Sequence, residues 1–458
     1  MPLTSNRQDY GLRTWGCSIN FTCCSTIYRS VPIYQSIQAL LQGQGLSFKI
    51  DRYNRNLMKF AGMKYAVLVG DGMADYPLED LGGCTPIEAA ETPNMDEIAR
   101  QGQSGLVEMV PQGFAPASDV AILSILGYDP REYYNGRAPL EAAKMGIELG
   151  PDEIAFRCNL ITADDGCIAD YSGGHISNSE AEELIRFIDQ QLGTESIKFY
   201  PGVSYRHICV IKSSEPIALI ICIAPHDVIG QPIKDNLPLG KGAEQLVTLM
   251  ERSYELLRDH EVNKNRVSKG QNPANMIWLW GQGSAPQMPL FRDRFGIGGG
   301  VISAVDLVKG IAKLIGLRSI EVPGATGYYD TDYEAKAGYA LRCLEEEDFV
   351  FVHVEAPDEA SHNAEIDEKI KAIERFDQFI VGPVKSKLSE QSAFRILVLP
   401  DHATPIKLRT HTADPVPFAW CGLGIEKDET EVFSERSAAK STLRLSDGYC
   451  LMERFIKG

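Results

Sequence analysis

Short, wholly apolar runs alternate with longer amphipathic ones from Tyr65 onward. Ala66-Val-Leu-Val stops at Gly70-Asp71-Gly72, the form of a strand buried on both faces of a parallel sheet. Phe349-Val-Phe-Val-His-Val and Phe394-Arg-Ile-Leu-Val-Leu repeat it late in the chain. Between these two, the apolar spacing predicts a helix from Ile366 to Phe379. Another starts at Thr92-Pro93-Asn94-Met95, with Pro93 in the first turn, where its missing N–H is not needed. Strands alternating with helices predict an α/β core with a mostly parallel sheet flanked by helices. Ligands of such sheets gather beyond the carboxyl ends of the strands. Asp71, Asp358 and Asp401 each follow a strand closely.

Residues 157–272 have a different texture. They carry strand-like runs at Ile208-Cys-Val-Ile and from Ile217 to Ala224, a helix from Ala243 to His260, and then the polar run Asn263 to Asn272. They read as a smaller inserted α+β domain, with residues 63–156 and 273–458 as the core. The glycine-rich stretch Gly296-Ile-Gly-Gly-Gly-Val301 lacks the last glycine of a dinucleotide-binding fingerprint, and no Walker A pattern occurs.

Composition narrows the class. The 458 residues hold 45 Lys+Arg against 62 Asp+Glu, a net charge of −17. That balance argues against a general nucleic-acid or anionic-membrane surface. The longest clean apolar run, Ile217 to Ala224, is far short of the roughly 20 residues of a membrane span. Charge is uneven: residues 1–62 contain seven basic and two acidic residues. That segment reads as a non-native or disordered leader, with a transit segment as the other reading. The eleven cysteines are scattered and form no C-x-x-C, which predicts reduced thiols and a cytoplasmic setting.

Candidate chemistry collects late in the chain. Asp358-Glu-Ala-Ser-His362 puts a carboxylate and an imidazole four residues apart, on one face of a helix. Asp401-His402 follows a strand directly, and His411 lies nine residues on. With Asp71 the set is three carboxylates and three imidazoles. That suffices for two divalent ions with open positions, and Mn, Zn, Co and Mg are all chemically possible. Two such ions leave the three carboxylates one unit positive, which suits a phosphate. Without metal, the clustered carboxylates would raise one another's pKa. Ser118 in Pro116-Ala-Ser-Asp-Val-Ala precedes an apolar helical run. It is either a plain N-cap or a nucleophile beside free backbone N–H groups that favour a phosphoryl group.

Several motifs in order resemble the archaeal-type cofactor-independent phosphoglycerate mutases of the alkaline phosphatase superfamily. They are Gly70-Asp-Gly-Met-Ala-Asp, Pro116-Ala-Ser-Asp-Val-Ala, Leu126-Gly-Tyr-Asp-Pro, Gly136-Arg-Ala-Pro-Leu-Glu-Ala, Val354-Glu-Ala-Pro-Asp-Glu-Ala-Ser-His and Pro400-Asp-His-Ala-Thr-Pro with His411-Thr-Ala-Asp-Pro. The likeness runs from Met63 to the C-terminus. It implies an alkaline-phosphatase-like core with the insert as a cap. It also implies Asp71, Asp401 and His402 on one ion, and Asp358, His362 and His411 on the other. Ser118 would carry the phosphoryl group between 3-phosphoglycerate and 2-phosphoglycerate, with no 2,3-bisphosphoglycerate required. Alanine stands at positions 117 and 138, where the family often has glycine.

Return of the phosphoryl group requires exclusion of water and a grip on glycerate, the expected task of the cap. Planar arginine suits both carboxylate and phosphate. The candidates are Arg137, Arg157, Arg206 and Arg266, with Lys336 from a stretch resembling the family and His175 and His226 from loops of the insert. His353, within an apolar strand, reads as a packed or supporting residue. Three other readings remain at this point: a phosphate-ester or phosphonate hydrolase, a phosphopentomutase-like enzyme, and a non-catalytic binding protein. The expected partner is a small phosphoglycerate, not nucleic acid or membrane, and a homo-oligomer is left open.

Overall fold

The computed structural model describes residues 62–213 and 217–458. The reading of the basic leader therefore lies outside the described residues, apart from Gly62. In chain order the strands are β1 (Lys64–Gly70), β2 (Gln103–Val107), β3 (Glu153–Asp164), β4 (Cys167–Asp170), β5 (Ile197–Val203), β6 (Arg206–Lys212) and β7 (Met276–Ser284). They continue with β8 (Gly299–Ile302), β9 (Arg318–Ser319), β10 (Phe349–Val354), β11 (Phe394–Leu399), β12 (Val416–Gly422) and β13 (Arg444–Leu445).

Eight strands form one sheet in the order β13-β2-β12-β11-β1-β10-β8-β9. β12 alone runs against the others. The apolar runs explain the centre: β1, β10 and β11 are buried on both faces, so no polar alternation is tolerated there. Ala66, Leu68, Val350, Val352, Ile396 and Val398 pack against helices on one side. Because β11, β1 and β10 are parallel neighbours, the residues following Gly70, Val354 and Leu399 emerge at one end of the sheet.

The other five strands make a second, antiparallel sheet around β3, paired with β6 on one edge, β7 on the other and β4 at its end. This sheet spans Glu153 to Ser284, so it starts before residue 157 and ends after residue 272. Period-2 alternation divides β3. Phe156, Cys158 and Leu160 join the apolar cluster of this sheet. Ala155, on the opposite face, packs on Ala138 and Ala142 of the helix Arg137–Met145. Arg157 shares that face and meets Glu141 of the same helix.

Three elements differ from the sequence expectation. Ile217 to Ala224 is not a strand. It opens with a 3-10 turn, Ile217–Leu219, and bridges only at Ile221–Leu239. Ile217 and Ile220, three apart, are buried, while Leu219 and Ile221 are exposed. The helix expected to Phe379 is α-helical over Ile366–Phe376 and widens to a π turn, Asp377–Val381. That turn aims the Asp377 carboxylate at the N–H groups of Asn94 and Met95, capping a helix whose Thr92 makes no side-chain cap. The polar run after Asn263 is mostly a helix, Glu261–Ser268, which buries Asn263 and Arg266.

A buried ion pair ties together two of the loops at the carboxyl end of the sheet. Lys369 Nζ donates to Asp75 Oδ2 (2.8 Å) and to the Thr404 carbonyl (3.0 Å). Asp75 Oδ2 also accepts from the N–H of Ile406 (3.1 Å), and the N–H of Thr404 donates to the Ala74 carbonyl (3.1 Å). Neither side chain of the pair is exposed at all. Lys369→Met leaves Asp75 buried without its counter-charge, so urea unfolding should show a loss of about 3–5 kcal/mol. Arg186→Ala, which breaks an exposed pair with Glu182, should cost no more than about 0.5 kcal/mol. Similar losses in the two variants would contradict the clamp.

Candidate active site

All seven core residues read from the sequence meet beyond the carboxyl ends of β1, β10 and β11. Asp71 follows β1. Asp358 and His362 lie on the helix Ala356–His362 after β10, and Asp401 and His402 follow β11. His411 comes from the loop leading to β12. Ser118 opens the helix Ser118–Ile125, which the chain enters from β2. Ser118 is the first helical residue rather than the cap; Ala117 holds the cap position with no side-chain bond. The serine hydroxyl is thus not used to close the helix. Its Oγ sits 3.2 Å from His402 Nε2.

Asp71, Asp401 and His402 form one set whose potential ligand atoms lie within 4.8 Å of one another. His402 Nε2 is 3.5 Å from Asp71 Oδ1 and 3.4 Å from Asp401 Oδ2. Both of these oxygens are buried and have no hydrogen-bond partner, a costly state unless a cation completes them. Asp401 Oδ1 is held by the N–H groups of Gly72 (3.1 Å) and His402 (2.9 Å). In the second set, Asp358 Oδ2 lies 3.0 Å from His362 Nε2 and 3.5 Å from His411 Nε2, and the two imidazole Nε2 atoms are 3.0 Å apart.

The donor chemistry fits divalent cations. Each imidazole turns Nδ1 to an oxygen: His362 to the Arg409 carbonyl (2.9 Å), His411 to the Pro116 carbonyl (3.4 Å) and His402 to Thr404 Oγ1 (3.1 Å). That leaves the three Nε2 atoms converging on carboxylates, the usual division of labour in a metal-binding histidine. Arg409 presents its carbonyl from the left-handed region, at φ +56°, a conformation that costs a side chain about 1–2 kcal/mol.

Electrostatics point the same way. Burial, then the charges of Asp401 and Asp358, push the Asp71 carboxyl well above its ordinary value. Burial opposes ionisation of Asp358 too, but hydrogen bonds from His362 and His411 hold it well below the usual range. The bond to Asp358 raises His362 to about 9. Burial lowers His411, yet Asp358 outweighs it and the net shift is upward. Protons and imidazolium thus stand in for the positive charge that this many carboxylates require.

Behind Asp71 is a tier only partly legible in the sequence. His353 Nε2 lies 3.2 Å from Asp71 Oδ2 and its Nδ1 3.3 Å from Glu355 Oε1. Glu355 in turn accepts from Ser303 Oγ and the N–H of Ala304. Lys336 belongs here and not to a substrate site, which corrects the expectation. It is fully buried, and Nζ donates to Glu355 Oε2 (2.7 Å) and the His353 carbonyl (3.0 Å).

The other substrate candidates separate. Arg137 and Arg157 share Glu141, with Arg137 Nε at 3.5 Å and Arg157 Nε at 3.0 Å. Arg157 also stacks 4.3 Å above the Trp280 ring. Arg137 and Trp280 line a cleft of about 490 Å³ with Asp119, Tyr134, Ile223 and Gln282. Tyr134 Oη donates to Asp119 Oδ2 (2.8 Å), beside the Ser118 helix start. Asp119 and Glu141 lie within the quoted motifs but carry no assigned role from sequence, and Tyr134 and Trp280 look there like packing residues. Arg206 is exposed and borders a neighbouring cleft that also touches Glu141. Arg266 is not available to a ligand, a second correction. All three of its guanidinium nitrogens bond internally, to Glu180 and to the carbonyls of Gly173, Gly174 and Asn272. His175 is exposed on that glycine loop at φ +47°, and among the described residues nothing joins its imidazole to the cluster around Asp71. His226 packs edge-on against Trp280.

Comparison with known proteins bears on this arrangement. The family model described as 2,3-bisphosphoglycerate-independent phosphoglycerate mutase matches residues 99–263. A protein of that name from Methanothrix thermoacetophila is 52% identical over 397 residues, 86% of this chain and 100% of the relative. One from Geobacter sulfurreducens, named as probable, is 49% identical over 399 residues, again 86% of this chain and 100% of the relative. Among solved structures, a protein from Pyrococcus horikoshii superposes with a TM-score of 0.73 at 30% identity, covering 86% of this chain and 96% of the other. A cofactor-independent phosphoglycerate mutase from Thermoplasma acidophilum gives 0.61 at 29% identity, covering 86% and 99%. Identity of this order over the whole length of such relatives shows that the chain belongs to the 2,3-bisphosphoglycerate-independent phosphoglycerate mutases.

Proposed function

We propose that the chain interconverts 3-phosphoglycerate and 2-phosphoglycerate through a phosphoserine at Ser118, without 2,3-bisphosphoglycerate. The observation that carries this reading is the position of Ser118: at the first turn of a helix, 3.2 Å from His402 Nε2, over a cluster of three carboxylates and three imidazoles. Asp71, Asp401 and His402 would hold one divalent ion, and Asp358, His362 and His411 the other, with manganese the first choice. Such ions polarise a phosphoryl group and make a nearby hydroxyl a better nucleophile.

The residues of the chain supply the rest. Ser118 Oγ forms the bond to phosphorus as the ester oxygen of phosphoglycerate leaves. Return of the phosphoryl group to the other glycerate hydroxyl breaks the Oγ–P bond and restores the serine. The helix N-terminus favours the anionic phosphoryl group throughout. Arg137, which lines the cleft beside Asp119, would grip the glycerate carboxylate, with the buried Arg157 behind it on the shared Glu141. Residues 157–272, with the flanking strand residues of the second sheet, act as the cap that keeps water from the phosphoserine while glycerate reorients. The eight unpaired thiols of the described residues suit a cytoplasmic enzyme. Among the described residues no helix is long and apolar enough to cross a membrane.

Given 3-phosphoglycerate and an enolase coupling system, the metal-loaded chain should yield phosphoenolpyruvate. Release of inorganic phosphate alone would make it a hydrolase. Ser118→Ala should abolish turnover while the variant still binds two metal ions; substantial turnover by that variant would defeat the nucleophile assignment. Metal affinity should also depend on pH. In the metal-free protein Asp71 and His411 are raised and His362 is raised to about 9, so each tends to hold a proton that must leave before the group can bind a cation. Mn²⁺ affinity should therefore rise from about pH 6 to about pH 9, with protons released on binding near neutrality. Calorimetry in buffers of different ionisation enthalpy measures both, and a flat affinity with no proton release would contradict the ligand set.

A further inference from the structure

We propose that Thr404 is a positioning residue that fixes His402 in its metal-binding tautomer and links the two cation sites to each other. This rests on the two-cation reading above and goes beyond it, because Thr404 would touch neither metal nor substrate.

A count of protons leads there. The Nδ1 atoms of His362 and His411 face backbone carbonyls. A carbonyl only accepts, so both imidazoles carry a proton on Nδ1. His402 is different. Its Nδ1 faces the Thr404 hydroxyl at 3.1 Å, and a hydroxyl can either donate or accept. The choice is made on the far side of Thr404. Thr404 Oγ1 lies 2.5 Å from Asp358 Oδ1, the length of a hydrogen bond from a hydroxyl to an ionised carboxylate. An ionised carboxylate has nothing to donate. The single hydroxyl proton therefore goes to Asp358, and the Thr404 oxygen must accept from His402 Nδ1–H. The Nε2 lone pair of His402 is then left facing Asp71 Oδ1, Asp401 Oδ2 and Ser118 Oγ.

The surroundings hold this geometry. Thr404 and His402 are buried, at 0% and 1% exposure. The Thr404 backbone is fixed independently of its hydroxyl, by Ala74 and Lys369. Gly72, at φ +58°, lies against the Thr404–Asp358 bond, and a Cβ there would sit 2.5 Å from Thr404 Oγ1. On the two-cation reading Asp358 belongs to one ligand set and His402 to the other, and the two sets adjoin, since Asp358, His402 and His411 also offer ligand atoms within 4.8 Å of one another. The Thr404 hydroxyl thus joins a ligand of one site to a ligand of the other through two hydrogen bonds.

The test titrates Mn²⁺ into the metal-stripped full chain and into its Thr404→Val and Thr404→Ser variants. The wild type should bind two ions. Thr404→Val should bind one of them about 10–100-fold more weakly, and Thr404→Ser should bind both as the wild type does. Equal binding of both ions by Thr404→Val overturns the link, and so does a serine variant as impaired as the valine one, since the methyl group would then be what matters. A wild type that binds fewer than two ions removes the two-cation reading and the link with it. Nitrogen-15 NMR of the metal-free wild-type chain at mildly alkaline pH reads the tautomer with no substitution. The His402 proton should reside on Nδ1, and finding it on Nε2 overturns the inference.

Discussion

Three carboxylates brought together out of water are the constraint on which the rest of this structure depends. Asp71, Asp358 and Asp401 are each under a tenth exposed, and buried charges of one sign must be neutralised or compensated. The fold places them at the ends of three adjacent parallel strands, so they cannot separate without breaking the central sheet. Compensation has to come to them. Three imidazoles supply part of it, and the unpartnered oxygens of Asp71 and Asp401 mark where more positive charge belongs. A phosphoryl group, itself an anion, finds a favourable place only once that charge is present.

The supporting contacts all serve that arrangement. Lys369 and Asp75 tie the loop after β1 to the loop after β11, which keeps Asp71 beside Asp401 and His402. Lys336, Glu355 and His353 back Asp71 from the other side. Gly72 lets the chain turn sharply against Asp358, a close approach that no larger residue allows. Along β3, alternation carries Arg157 out of the second sheet's apolar core and onto Glu141 beside Arg137. The same pleat that buries Phe156 and Cys158 thus sets a buried guanidinium between Glu141 and Trp280, behind the cleft that Arg137 lines.

Much of this was legible in the chain. Wholly apolar runs that end in Asp identify buried parallel strands and the end of the sheet where chemistry gathers, and the i, i+4 spacing of Asp358 and His362 survives as a 3.0 Å contact. Residue type alone could not say which cations are committed internally. Arg266 and Lys336 have the right chemistry for a phosphate or carboxylate, yet burial gives every donor nitrogen of Arg266, and the Lys336 ammonium, to partners inside the protein. Ile217 to Ala224 has strand-like composition, but it buries residues three apart and makes only a single bridge. Thr404 was invisible for another reason. Its role depends on which neighbour receives one proton, and a sequence carries no trace of that.

The central claim is that these three carboxylates and three imidazoles hold paired cations beneath Ser118. Anomalous scattering at the manganese edge, from crystals of the chain soaked in Mn²⁺, tests it most directly. Two peaks are expected, one bounded by Asp71, Asp401 and His402 and one by Asp358, His362 and His411. No peak at either place, or a single peak away from these side chains, would contradict it.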